Sequence, residues 1–159
     1  MDPYFFLQIT PEILGAHRHS RVEALKKAGV VGLVDALLPE EFVDGYADRA
    51  LATPDWLGFW VLKGGEVIGS GGYKSAPVDG VTEIGYGIHP EFWSKGAATA
   101  LCDRLVSHAL SLGATTVRAH TLHEGVASQK VLTKNGFEYV GDFDEPEDGI
   151  VMRWEKSSE

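Results

Sequence analysis

The sequence has one cysteine, Cys102, among its 159 residues. A single cysteine excludes an internal disulfide framework and is typical of proteins from reducing compartments. Because Cys102 falls on the apolar side of a predicted helix, we expect a buried structural thiol rather than a nucleophile. We find no signal peptide and no apolar run long enough to span a membrane. We therefore expect a cytoplasmic protein without a membrane partner.

Basic residues are in the minority, since 14 lysines and arginines stand against 23 aspartates and glutamates, for a formal net charge of -9. This charge disfavours nucleic acid as a partner. It suits a cationic substrate such as an amine, but an acidic surface also serves solubility alone. The length fits one domain over residues 1–159, and a hydrophobic content of 44% is ordinary for a packed core. We expect a monomer or a homodimer.

Patterns that bind metals are also missing from the sequence. His17 and His19 are two positions apart on a predicted helix, so their side chains diverge and do not form a metal pair. We therefore predict no metal site. The sequence contains no internal repeat and no low-complexity segment.

What the sequence does contain is a series of helix and strand patterns. Thr10 and Pro11 are typical of a helix start, and Gly29 is typical of a helix end. The segment Val30–Leu38 is apolar and fits either a helical extension or a buried connection. The predicted elements are a strand at Tyr4–Ile9, helices at Pro11–Ala28 and from Pro39 to Thr53, strands at Leu57–Leu62, Glu66–Tyr73 and Val81–Ile88, a helix at Trp93–Leu112, a strand at Thr115–Leu122, a helix at Val126–Asn135, and strands at Phe137–Phe143 and Ile150–Glu155.

This order predicts the fold class. Three consecutive strands with short links form an antiparallel meander, and the following strand, helix and strand form a parallel crossover. The result is a mixed α/β fold, in which helices flank a central, mostly antiparallel sheet.

The stretch from residue 82 to residue 112 contains the clearest binding signal. It begins as a strand, turns through small residues between Trp93 and Ala98, and continues as a long helix. Free backbone N–H groups at a helix N-terminus, together with the helix dipole, favour bound phosphate. The small side chains at 96–98 let a ligand approach the backbone closely, and Lys95 adds positive charge. The pattern predicts a phosphate site.

The same stretch resembles motif A of the GNAT N-acetyltransferase superfamily, Gln/Arg-x-x-Gly-x-Gly/Ala. Gly96 and Ala98 fit the last two positions, and Trp93 stands where Gln or Arg is usual. The longer string E-I-G-Y-G-I-H-P-E-F-W-S-K-G-A-A-T is similar to the ribosomal-protein N-terminal acetyltransferase (Rim-type) branch, which often has Trp before its glycine turn.

A second resemblance lies between His123 and Phe137, which is similar to motif B, Asn-x-x-Ser-x-x-Val-Leu-x-Lys-x-Gly-Phe. Gly125 replaces the usual Asn, which commonly holds the cofactor arm or a water, and His123 or Glu124 could substitute for it. Taken alone, the local tetrapeptide at 134–137 is better explained as a capped helix end. Six positions fit the motif: Ser128, Val131, Leu132, Lys134, Gly136 and Phe137.

The resemblance implies a GNAT-like acyl-CoA N-acyltransferase fold and acetyl-CoA as co-substrate. The pyrophosphate would bind the N–H groups of residues 94–99, and the pantetheine arm would pair with the end of the strand at Ile88. Gly85 and Gly87 permit a bulge that would splay this strand from its neighbour and leave a backbone N–H for the thioester oxygen. The implied cofactor-binding residues are Ile88, Trp93, Ser94, Lys95, Gly96, Ala97, Ala98, Thr99 and Ser128.

Two residues are implied for catalysis. Glu83 precedes Ile84-Gly85-Tyr86, where the family often has Glu, and could accept the proton that an amine must lose before attack. An exposed strand glutamate is an equally good explanation. Ser128 could donate a hydrogen bond to the departing thiolate, or could be an ordinary serine in the first turn of a helix.

Other conspicuous residues have structural explanations. His120 could line the cleft, but a structural histidine is the simpler interpretation. Trp56 and Trp60 fit core or lid positions, and spacing alone does not place Tyr73 or Tyr86 at the cleft.

The implied function is transfer of the acetyl group of acetyl-CoA, by direct transfer in a ternary complex, to a primary amine. The acceptor could be a protein N-terminus, an amino acid or peptide, a polyamine or an aminated antibiotic. A non-catalytic acyl-CoA-binding module is the main alternative, supported by Gly125. A phosphate-binding α/β protein of another kind is a third possibility, because fold alone does not fix function.

Overall fold

The computed structural model describes residues 3–32 and 36–158, and within these the side chains of 40–42 and 44–46 lie outside the description. Pro54–Trp56 and Pro90–Phe92 form 3₁₀ turns. The strands and helices are, in chain order, β1 (Tyr4–Gln8), α1 (Pro11–His17), α2 (Arg21–Ala28), β2 (Val31–Gly32), α3 (Glu40–Leu51), β3 (Phe59–Lys63), β4 (Glu66–Tyr73), β5 (Val81–Ile88), α4 (Ala97–Ser111), β6 (Thr116–Thr121), α5 (Val126–Lys134), β7 (Glu138–Glu145) and β8 (Gly149–Ser157).

The described strands form one sheet in the order β1-β3-β4-β5-β6-β8-β7, with β2 paired beside β4. β5 runs parallel to β6 because the crossover through α4 returns the chain in the same direction, and β2 also runs parallel to β4. The remaining neighbours are antiparallel. The predicted fold class, a mixed α/β fold with a mostly antiparallel central sheet flanked by helices, is confirmed.

The main hydrophobic core lies between helix α4 and the sheet. Side chains of α4 at a spacing of four, Leu101, Leu105 and Ala109, are fully buried, and Val117 on β6 faces the same core. Cys102 is also fully buried, as predicted, and burial raises the pKa of its thiol to about 12. The thiol therefore stays protonated and packs as a small apolar group.

The N-terminal part differs from the prediction. The single helix expected at Pro11–Ala28 is wrong, because the chain forms α1 and α2 with a break between them. The hydroxyl of Ser20 accepts a hydrogen bond from the backbone N–H of Glu23 (3.2 Å) and starts a new helix. Gly29, with φ 73°, ends α2 as predicted.

The unassigned segment Val30–Leu38 contains the short strand β2, and its residues 33–35 lie outside the described part. Val43 and Ala47 of α3 are buried against Leu14 and Leu57, so α3 packs on α1 and on the segment that leads into β3. Within the described residues, we find no helix that combines the length and apolar character needed to cross a membrane.

Candidate functional site

Strands β5 and β6 separate part-way along their length. Parallel pairing joins residues 81–83 to residues 116–118 and then stops, whereas β5 continues to Ile88. Pairing of β5 with β4 continues over the same residues without a register shift. The bulge expected at Gly85 and Gly87 is therefore absent from this pairing. The expected splay is present, and it arises because β6 diverges.

Two backbone N–H groups of β5 point into this opening. In an antiparallel pair, alternate residues direct both N–H and C=O toward the partner. The carbonyl of Glu83 accepts from the N–H of Lys74, directly after β4, and the N–H of His89 donates to the carbonyl of Ile68, so the odd-numbered residues of this strand face β4. The N–H groups of Tyr86 and Ile88 therefore point to the side from which β6 has diverged.

A cleft of about 900 Å³ follows this opening. Its walls include β4, β5 and the turn between β7 and β8, which is the acidic turn expected at 144–149. Arg49 and Lys74 supply positive charge to the lining. Among the described residues of the lining, four carboxylates outnumber them, and a cleft with this excess attracts a cation. The four are Glu83, Glu145, Glu147 and Asp148.

The turn before α4 exposes free backbone donors. The helix begins at Ala97, later than the predicted start at Trp93, because Gly96 takes a left-handed conformation (φ 87°) and becomes the N-cap. Ser94 is also left-handed, at φ 62°. In this fully described turn, Gly96 makes no side-chain cap and the first helical turn carries no acidic residue. The N–H groups of residues 97–99 therefore lack intrahelical acceptors and suit an anion.

Trp93 and Lys95 hold this turn in place. The indole N–H of Trp93 donates to the carbonyl of Ile88 (2.6 Å), although the ring is 61% exposed. The hydroxyl of Tyr4 donates to the carbonyl of Lys95, which ties the turn to β1. The Lys95 ammonium lies 5.8 Å from the ring centroid of Phe92. The donors of the turn are thereby fixed beside the open end of β5.

Glu83 lies in the cleft and contacts His120 of β6. Nδ1 of His120 lies 3.2 Å from Oε2 of Glu83, and Nε of Arg153 lies 3.1 Å from Nε2 of His120. An arginine side chain has only donors, so Nε2 must accept and the ring hydrogen must sit on Nδ1. His120 therefore donates to Glu83. The side chains of His120 and Glu83 are 12% and 27% exposed, so the pair is reachable from the cleft but largely shielded.

Tyr86 projects to the opposite face of β5, because side chains alternate along a strand. It packs on the core under α4, and its hydroxyl lies 3.4 Å from Oγ of Ser128 in the first turn of α5. Burial raises the pKa of Tyr86 to about 12, and the hydrogen bond with Ser128 opposes part of this rise. The phenol stays protonated at neutral pH, so it can donate a hydrogen bond beside the predicted Ser128.

The turn before α5 lacks the side chain that motif B usually supplies. Gly125 is the N-cap and makes no side-chain hydrogen bond. The side chain of Gln129 instead donates to the carbonyls of Leu122 and His123, both at 3.0 Å. His123, one of the two residues that could substitute for the Asn, contacts Asp142 (2.8 Å) on the surface. Gln129 therefore fixes the backbone of the turn.

The remaining candidates have structural roles. The hydroxyl of Tyr73 donates to the carbonyl of Leu105 (2.6 Å), and burial raises the pKa of Tyr73. Trp60 is buried, and Trp56 packs edge-on against Tyr73. Across residues 3–32 and 36–158, no group of three or more His, Cys, Asp or Glu side chains could hold a metal ion.

Sequence reasoning named Glu83 and Ser128 but missed the partners that the fold gives them. The sequence does predict the face on which Tyr86 lies, because residues three positions apart on a strand, such as Glu83 and Tyr86, project to opposite faces. The contact of Glu83 with His120 depends on the register of β5 against β6, for which the sequence has no local signal.

The part of the chain that contains most of this site matches a known protein family. Residues 23–138 match the model of the acetyltransferase (GNAT) domain. YoaA of Bacillus subtilis (strain 168), an uncharacterized N-acetyltransferase, is 36% identical over 78 residues. That alignment covers 48% of this chain and 44% of the relative, so the match spans less than half of either protein.

Solved structures share the fold over nearly the whole chain. The putative acetyltransferase yncA of Salmonella typhimurium, solved with acetyl-CoA, is 15% identical with a TM-score of 0.66, and the match covers 98% of this chain and 94% of that one. The ribosomal-protein-S5-alanine acetyltransferase of Vibrio fischeri is 14% identical with a TM-score of 0.67 and coverage of 99% and 94%. At these identities the likeness concerns the fold.

Proposed function

The chain belongs to the acetyltransferase (GNAT) domain family, and on this premise we propose that it transfers an acetyl group from acetyl-CoA to a primary amine. The observation that carries the proposal is the opening between β5 and β6. It places two free N–H groups between a helix N-terminus suited to phosphate and a carboxylate suited to accept a proton.

The residues present fit acetyl-CoA. A Cβ at Gly96 would meet no atom within 4 Å, and neither would a Cβ at Gly85 or Gly87. The turn before α4, residues 94–99, which we call the anion cradle, and the end of β5 are therefore open to a ligand. The N–H groups of residues 94–99, with the Lys95 ammonium, would hold the pyrophosphate. The bound co-substrate supplies the acetyl thioester. The N–H groups of Tyr86 and Ile88 are the free donors for its pantetheine arm and thioester oxygen.

Glu83 is the proposed general base. An acceptor ammonium must lose a proton before its nitrogen can form the new C–N bond, and Glu83 is a carboxylate on the cleft side of β5. Oε2 of Glu83 already accepts from His120, which leaves Oε1 to take the proton from the acceptor.

Ser128, with Tyr86 beside it, is the proposed donor to the departing sulfur. As the C–S bond breaks, the leaving thiolate must gain a proton or a hydrogen bond. The two hydroxyls lie together on the face of β5 opposite Glu83, so the acid and base act from opposite sides of the opening.

The proposed acceptor is an amine that is cationic before it reacts. The carboxylates of Glu145, Glu147 and Asp148 line the same cleft as Glu83 and would attract it. Among amines we propose the α-amino group of a peptide or protein, because the string through Trp93 resembles the Rim-type branch. An acceptor screen with a free N-terminal peptide, an Nα-blocked lysine peptide and spermidine separates an α-amino preference from a general amine preference.

The first test is a thermal-unfolding comparison with acetyl-CoA, ATP and NADH. A ligand that binds only the folded chain raises its stability with the logarithm of its excess over Kd. We expect a rise with acetyl-CoA that ATP and NADH do not match. No rise at ligand concentrations well above the millimolar range would contradict the cofactor assignment.

The second test is the Glu83→Gln variant, with Glu66→Gln on neighbouring β4 as a matched control. We expect Glu83→Gln to lower kcat about 10²- to 10⁴-fold, the usual contribution of a general base, and to leave the Kd for acetyl-CoA unchanged. The control should keep full turnover. A non-catalytic acyl-CoA-binding module is the less favoured alternative, and it predicts acetyl-CoA binding with no thiol release from the wild-type protein.

A further inference from the structure

We propose that His120 is a positioning residue for Glu83, and that Arg153 fixes the tautomer in which it acts. The inference deepens the proposed function and rests on it. It concerns two residues outside the motif-A and motif-B strings, and it follows from the arrangement of three side chains on the cleft face of the sheet.

The three residues come from three adjacent strands. Glu83 pairs across β5 and β6 with Arg118, and His120 is the next residue on the same face of β6. His120 pairs in turn with Arg153 of β8. The parallel β5–β6 ladder ends at the pair of Glu83 with Arg118, so His120, two residues beyond Arg118, stands just past the part where the two strands are joined. This register aims its ring from β6 across to the carboxylate.

Arg153 determines what the ring can do. Its Nε–H donates to Nε2 of His120, which makes Nε2 an acceptor and leaves the ring hydrogen on Nδ1. A doubly protonated ring would set two donors against each other at this contact. The arginine thus selects the neutral Nδ1–H form, which is the form that donates to Oε2 of Glu83.

Phe143 supports both partners from the final hairpin. Its ring stacks on His120 at an interplanar angle of 11° with centroids 5.5 Å apart, and the Arg153 guanidinium carbon lies 3.9 Å from its centroid. The ring and the guanidinium are therefore held by packing as well as by hydrogen bonds. The consequence is a fixed carboxylate, with Oε2 occupied and Oε1 free for the acceptor's proton.

The test compares His120→Phe, which keeps an aromatic ring against Phe143 but no hydrogen bond, with His120→Asn, whose amide N–H can replace Nδ1–H. His108→Phe is the matched control, because His108 bonds to the carbonyl of Asp55 (2.7 Å) away from the cleft. We expect His120→Phe to lower kcat about 10- to 100-fold, as for loss of a hydrogen bond to a charged group, with the KM for acetyl-CoA unchanged. His120→Asn should restore most of kcat, and His108→Phe should not lower it.

A double-mutant cycle with Glu83→Gln shows whether His120 acts through Glu83. We expect His120→Phe to cause no further loss of kcat in the Glu83→Gln background, because the carboxylate it positions is gone. An equal loss in both backgrounds, or a His120→Phe protein with wild-type kcat, would overturn the positioning role. If His120→Phe does not fold, the Asn variant carries the test, and a tenfold loss in Asn with intact thermal stability would also overturn it.

These outcomes are distinct from failure of the proposed function. A wild-type protein that binds acetyl-CoA but releases no thiol with any amine refutes the transferase function and this inference with it. An inactive Glu83→Gln variant beside a fully active His120→Phe variant refutes only the role of His120.

Discussion

Substitution of Gly96 by alanine tests the anion cradle more directly than removal of a charge would. Gly96 holds φ 87° at the N-cap of α4, and a methyl group placed there would meet no atom within 4 Å. Steric clash with neighbouring atoms therefore contributes nothing in the free protein. We expect Gly96→Ala to lower the free energy of unfolding by about 1–2 kcal/mol, the energy that an alanine needs to adopt a left-handed conformation.

Gly113 provides a control with the same local problem in a different place. It holds φ 100° just after Leu112, the C-cap of α4, at the end far from the cradle, and its Cβ position is equally open. Both alanine variants should therefore lower the midpoint of thermal unfolding by roughly 2–8 °C in a chain of this length. Only Gly96→Ala places a methyl group where the pyrophosphate would lie, or lets the turn relax and withdraw its N–H groups.

The assay is the Kd for acetyl-CoA, measured by calorimetry at a temperature where all three proteins are folded. If the turn relaxes in the free variant and binding must restore it, the loss of stability is smaller than in the control, and the strain of 1–2 kcal/mol instead weakens the affinity of Gly96→Ala by about 5- to 30-fold. The affinity of Gly113→Ala should equal that of wild type. A Gly96→Ala protein that loses stability like the control but binds within twofold of wild type would refute the placement of the pyrophosphate on this turn.

Two further predictions concern buried ionisable groups. The pKa of Tyr86 is raised to about 12 by burial, so between pH 10 and 12 the unfolded chain loses this proton before the folded chain does, and stability falls as pH rises. Between pH 9 and pH 12, the free energy of unfolding of the wild type, measured by urea titration, should fall by up to about 3 kcal/mol more than that of Tyr86→Phe. If the free energies of unfolding of the two proteins change with pH in parallel, the phenol is not buried as described. Burial raises the pKa of Cys102 to about 12, so a thiol reagent at pH 8 should label it only in denaturant, and rapid labelling of the native protein would show that α4 is not packed as described.

The parts of the fold that the sequence predicted well are those with a local cause. The strands β4 and β5 were predicted with their observed bounds, because turn residues on either side interrupt a clear strand pattern. Gly113 and Gly136 end α4 and α5 at positive φ, as their positions predicted. The errors have local causes too. Ser20 offered a second helix cap that the prediction passed over, and the left-handed Gly96 delayed the start of α4.

The candidate site was predicted only as far as its residues lie in continuous strings. The turn from Trp93 to Thr99 and the first turn of α5 each bring their members together through local structure. The contacts of Glu83 with His120 and of Tyr86 with Ser128 join residues 37 and 42 positions apart. Such contacts depend on strand register and helix packing, which no short sequence window encodes. The expected bulge at Gly85 and Gly87 was wrong for the same reason, since the divergence of β6 is a property of two strands.

The spacing of Glu83 and Tyr86 explains why the opening between β5 and β6 is needed at all. Residues three apart on a strand face opposite sides of a sheet, so a carboxylate and a phenol at these positions cannot meet across a continuous sheet. The ladder to β6 ends at Glu83. From there to Ile88, the opening beside β5 joins the two faces of the sheet. In the proposed function, the base on the acceptor side and the donor on the thiol side can then serve one reacting centre between them. The glycines at 85 and 87 keep this passage free of side chains, since a Cβ at either position would project into open space. Neither glycine has a positive φ, so what they contribute at these positions is access to the opening rather than an unusual backbone conformation.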